Sequence, residues 1–268
     1  MRRLPGAPFL GRYRWWNAAL LCVAPGCNHL DCSGCPFQVV LAGTRPSDGL
    51  TSACVYSSEQ HAWSKPVFAQ FHGFRVKGGS GASAIVGNTV YFLCDMMRKI
   101  LEYDLSKQEL SLISLPILYD VVRENRRRVA LMRADGGGLG FATSHNSKVY
   151  MWSREAGLDN GDARWVQQRV IDLDKMVPAW NLGRVSFSSS FVSAVAENAG
   201  VMFIAISYGL FCIDLNTGML KKLLVSSSIV RDVVPYVSFC TPASGSRAAF
   251  AGDHQEPIAG AVGAGNLI

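Results

Sequence analysis

The chain of 268 residues carries 26 Lys and Arg against 20 Asp and Glu, a net charge of +6, with 49% hydrophobic and only 17% charged residues. That length can bury a full core, and the low charge leaves Ser, Gly, Asn and Gln to supply much of the surface. A nucleic-acid surface and a spanning helix are both disfavoured: the one dense basic run, Arg126-Arg127-Arg128, is short, and no uncharged stretch exceeds 17 residues (198–213 holds 16) where a helical span needs roughly 20.

In chain order, residues 1–8 are basic, contain two prolines and are expected to be disordered. Arg12 and Arg14 interrupt any secretory leader. Cys54, Cys94, Cys212 and Cys240 each sit among apolar residues, as buried thiols do in reducing compartments, so an intracellular chain, cytoplasmic or nuclear, is expected. Residues 17–23 read as a strand. After them comes Cys-Asn-His-Leu-Asp-Cys-Ser-Gly-Cys-Pro (27–36), which with Cys22 offers Cys27, His29, Cys32 and Cys35 as metal ligands on paper. It holds one close pair, and no second C-x-x-C or H-x-x-x-H follows. The segment is therefore read as an irregular loop with incidental cysteines, and no metal and no cofactor are expected. A redox role for Cys32 and Cys35 would need a following helix, whereas Pro36 to Leu41 reads as strand.

From residue 50 a phrase of strand, polar turn and strand recurs. Segments 90–110 and 201–220 align with a one-residue gap, both ending in an apolar residue, Asp and Leu before a turn. Tyr56 precedes Trp63 by seven residues, as Tyr103 precedes Leu110 and Ile213 precedes Leu220, which predicts cross-strand partners around a short hairpin loop. Near Trp152 the same hairpin has a longer loop. The steps from Tyr56 to Tyr103, Trp152 and Ile213 are 47, 49 and 61 residues, close to the period of propeller blades. Residues 117–128 could form a helix or a strand with a basic turn. Residues 243–268 are Gly/Ala-rich without β-periodicity, and a disordered tail is expected. The fold expected is all-β: a partial, kelch-like β-propeller of four-stranded blades that need not close.

No candidate catalytic residue emerges. Gly78-Gly79-Ser80-Gly81 and Gly136-Gly137-Gly138 lack the Lys-Ser/Thr ending of a phosphate loop, no G-x-S-x-G elbow occurs, and His61, His72, His145 and His254 are scattered. Trp63, Trp152 and Trp165 lie at strand ends, where packing between blades is expected.

The segments Ala53 to Glu59 with Trp63, Gly87 to Phe92, Ile100 to Leu105 and Pro235 to Pro242 together resemble the plant F-box proteins with a kelch-like, propeller-associated region, over about residues 9–242. The resemblance implies the substrate-recognition part of a cullin-type ubiquitin ligase: a protein-interaction module, not an enzyme, whose target protein is unknown. An F-box, the part that docks the ligase adaptor, is not found here beyond Leu4-Pro5. Two other readings are a propeller hydrolase in which Asp104, Asp135, Asp172 and Asp214 converge on one cleft, and a truncated gene product without independent function.

Overall fold

The computed structural model describes residues 4–27, 34–78, 82–95, 99–116, 129–155, 163–176, 186–196, 199–206, 209–225 and 233. The readings placed on 117–128, His29, Cys32, 235–242 and 243–268 lie outside them.

Four antiparallel sheets follow one another along the chain. The first contains β1 (Trp15–Cys22), β2 (Phe37–Thr44), β3 (Leu50–Ser57), β4 (Ala62–Trp63) and β5 (Val67–Gln70), with β4 and β5 both paired to β3. Pro66 explains the split. It has no N–H for the ladder, and Ser64 patches the gap: its N–H donates to Val55 O at 2.7 Å and its Oγ accepts from Val55 N at 3.0 Å. The second sheet has β6 (Arg75–Val76) and β7 (Ser83–Val86) sharing one edge of β8 (Thr89–Asp95), followed by β9 (Lys99–Asp104) and β10 (Glu109–Ser114). The third is β11 (Ala130–Arg133), β12 (Leu139–His145), β13 (Lys148–Glu155) and β14 (Arg164–Asp172). The fourth is β15 (Phe191–Ala196), β16 (Val201–Ile206), β17 (Gly209–Asp214) and β18 (Leu220–Val225).

These are the blades of a four-blade propeller arrangement, each in simple up-and-down order. Alternation along the strands gives each blade two apolar faces, and apolar layers between neighbouring blades cover them. Val40, Ala42 and Ala53 of the first blade meet Val90, Phe92, Leu101 and Tyr103 of the second. The opposite face of the second, with Tyr91, Leu93, Ile100 and Ile113, meets Leu131, Leu139 and Phe141 of the third. Ala142, Val149, Met151 and Ile171 then meet Val192, Met202, Ile204, Phe211 and Ile213 of the fourth. Among the described residues no strand of the fourth sheet pairs with the first, so hydrogen bonds do not close the ring.

The two outer faces are covered differently. On the first blade, Phe9 and Tyr13 pack over Leu41 and Cys54, and the Tyr13 hydroxyl lies 2.6 Å from Ser52 Oγ. On the fourth, Val233 packs with Ala194, Ala205 and Leu210.

The seven-residue spacing proves to be a register. Tyr56 pairs with Trp63, Tyr103 with Leu110 and Ile213 with Leu220. In each hairpin the fifth residue after the first partner turns left-handed: His61 (φ 51°), Gln108 (φ 56°) and Gly218 (φ 73°). Glycine fits that position at no steric cost, whereas a residue with Cβ loses about 1 kcal/mol or more there. We therefore expect Gln108→Gly to stabilise the chain by about 0.5–1 kcal/mol and Gly218→Ala to destabilise it by a similar amount in urea titrations. Equal, near-zero effects would reject the equivalence of the two turns.

Candidate functional site

Two features on the blade edges can meet other molecules. The first is a groove of about 380 Å³ between β5 of the first blade and the β9–β10 hairpin of the second, lined by Val67, Phe68, Glu102, Asp104, Lys107 and Glu109 among others. Its apolar wall includes Phe68, 57% exposed, and its polar wall sets three carboxylates against one ammonium. Glu102 is held in place by Tyr91 Oη, which donates to Oε1 at 3.1 Å, and by Ser111 Oγ, which donates to Oε2 at 2.6 Å. Burial, and next the Glu102 charge, push the Tyr91 phenol up to about 12, so that it stays a donor.

Asp104 at the groove's end serves its own turn. Its Oδ1 accepts from Ser106 N at 2.9 Å and Lys107 N at 3.0 Å, while its backbone oxygen accepts from Gln108 N at 2.8 Å. Asp214 repeats the device two blades on, with Asn216 N at 2.9 Å, Thr217 N at 2.8 Å and Gly218 N at 2.8 Å on the corresponding atoms. The amide donors, Lys107 N first for Asp104 and Thr217 N first for Asp214, hold both carboxyls below the usual carboxylate range. Both folded values lie below the unfolded one, so the contribution to stability is complete above about pH 4 and is lost as pH falls through the folded values. Replacing both residues with Asn keeps the acceptor and removes the titration. The acid limb of stability against pH should flatten in that double variant, and an unchanged limb would contradict the assignment.

The other two aspartates do not join them. Asp172 ends β14, 3.7 Å from Lys175 Nζ, and Asp135 lies exposed in the turn between β11 and β12. The four aspartates thus occupy separate hairpins and strand ends of three blades rather than one cleft. Of the histidines, His61 and His72 are exposed on different loops, and His145 ends β12.

Two of the three tryptophans pack between blades as expected. Trp152 stacks on Phe141 with centroids 6.0 Å apart, and Trp165 meets the same ring edge-on at 4.9 Å while its indole N–H donates to Ser114 O of the second blade at 2.8 Å. Trp63 differs. It sits on the first blade's outer face, and its indole N–H donates to Pro5 O at 2.9 Å, tying residues 4–13 to that face.

The second feature is the group Cys22, Cys27 and Cys35, whose sulfurs all lie within 4.8 Å of one another. The sequence offers these three on paper, and the ladder brings them together. Cys22 pairs with Phe37 across the ladder, and Val23 N donates to Pro36 O at 3.0 Å, so the register returns Cys35 to the end of β1. The hydrogen bond with Cys27, followed by the lesser effects of burial and Cys22, pushes the Cys35 thiol up.

A search of curated proteins finds no match to this sequence. Among solved structures the chain is similar to a chain of a nidogen/laminin complex, at 14% identity and TM-score 0.42, covering 84% of this chain and 70% of that one. It is also similar to the Cps50 (Swd1) β-propeller domain of Myceliophteria thermophila, at 13% identity, TM-score 0.39 and coverage of 74% and 55%. The extracellular domain of a putative one component system from B. thetaiotaomicron is a third, at 11% identity, TM-score 0.33 and coverage of 74% and 28%. A family model described as the β-propeller of F-box protein AT5G49610-like chains matches residues 30–243, which take in the last three blades and all of the first but β1, and the chain belongs to that family.

Proposed function

We propose that the chain is a target-recognition module of a cullin-type ubiquitin ligase, working inside the cell and holding a protein substrate without acting on it chemically. The family match over residues 30–243 to an F-box protein propeller carries this reading. In such proteins an F-box docks the ligase adaptor and the propeller presents the target. The groove between the first two blades suits a short target segment that places an apolar side chain against Phe68 and a basic one near Glu102, Asp104 and Glu109.

The test is affinity capture from native tissue with mass spectrometry, repeated with a Phe68→Asp, Glu109→Lys variant. Both positions are exposed, so the fold should survive the change. A reproducible partner, captured at least about tenfold less by the variant and ubiquitinated in a chain-dependent way, is the expected result. A partner indifferent to both substitutions would reject the groove. Absence of any adaptor or ubiquitination would reject the ligase role.

A further inference from the structure

We propose that Cys22, Cys27 and Cys35 bind one zinc ion through their three sulfurs, and that this structural site fastens the β1–β2 connection at the edge of the first blade. The geometry supports it on two counts. The three Sγ atoms come from three separate places, the last residue of β1, the turn that follows it, and the residue two before β2, yet they fall within 4.8 Å of one another. Cys27 and Cys35 are 3.9 Å apart, too far for a bond between sulfurs and close to the ~3.8 Å that two thiolates adopt when each is about 2.3 Å from a shared tetrahedral zinc.

Other readings account for less. A disulfide would use two of the three sulfurs and leave the third idle. Packing does not gather them either, because all three cysteines are partly exposed while the two buried thiols among the described residues, Cys54 and Cys94, sit in separate apolar layers. Thiolate donors select a thiophilic ion over magnesium or calcium, and zinc adds no redox chemistry of its own.

The chemistry balances simply. The thiols each lose a proton to solvent as a zinc–sulfur bond forms, so uptake releases protons and weakens as pH falls. The three thiolates occupy three of four tetrahedral positions. Such a clamp closes residues 22 to 35 into a loop whose ends the register already joins.

The test uses the full chain, reduced and purified without chelator. Elemental analysis should find about one zinc per chain, and zinc added to chelator-stripped protein should raise its thermal midpoint. Cys22→Ser, Cys27→Ser and Cys35→Ser should each reduce bound zinc to about a tenth or less, whereas Cys212→Ser, in the fourth blade, should retain it. Cobalt added to the stripped wild-type chain provides a readout that does not depend on whether the variants fold: a sulfur-to-cobalt charge-transfer band is expected. Absence of that band, copper in place of zinc, or a Cys27–Cys35 disulfide in the purified chain would each overturn the proposal.

Discussion

Phe141→Ala is expected to destabilise the chain by about 3–5 kcal/mol, the cost of emptying a buried aromatic site that cannot collapse. The ring is 1% exposed and lies between the second and third blades, stacked against Trp152 and met edge-on by Trp165. Both indoles are fixed from elsewhere, Trp165 by its bond to Ser114 O and Trp152 by its place in β13 opposite Phe141, so neither can follow the cavity inward. For a chain of this size the thermal midpoint should fall by roughly 6–20 °C. Urea titration by intrinsic fluorescence reads the effect directly, since two of the tryptophans flank the site. A loss under about 1 kcal/mol would show that the second and third blades are not joined through this ring.

Ile204→Ala tests the next seam, with an expected loss of about 2–5 kcal/mol. Ile204 is fully buried between the third and fourth blades, among Met151, Ile171, Val192 and Phe211. Among the described residues the fourth blade meets the third through this layer and carries Val233 on its other face, so its coupling to the remainder is read here. Hydrogen exchange should therefore report more than a uniform loss: amides of β15 to β18 should exchange faster than those of the first two blades. Combined with Phe141→Ala, the losses should add to within about 0.5 kcal/mol, because the residues lie in different layers. Uniform acceleration across all four sheets would indicate a single cooperative unit.

The outer hairpins were the most legible part of the sequence. One residue spacing identified Tyr56 with Trp63, Tyr103 with Leu110 and Ile213 with Leu220, because hairpin geometry converts a fixed loop length into a fixed cross-strand pair. The inner edges were less legible. β7 and β11 have four residues each, too few for periodicity to stand out, and the split of β4 from β5 is apparent only once Pro66 is set against the β3 ladder. The packing of Phe9 and Tyr13 on the first blade left no periodic signal at all, since residues 9–13 are a short turn of helix and coil. The cysteine group was named and then set aside for a related reason: spacing along the chain says nothing of a ladder that folds Phe37 back onto Cys22.

The broken outer strand of the first blade also bears on how the chain behaves when crowded. A sheet's last strand offers its spare amides and carbonyls to any passing copy, which can extend the sheet and start a filament. Here β5 offers only four residues beyond Pro66, β14 carries Arg164 and Arg169, and β18 carries Lys221 and Lys222, so a second molecule meets either an interrupted backbone or like charge. The same proline that costs the first blade its continuous margin makes that margin a poor template for self-assembly.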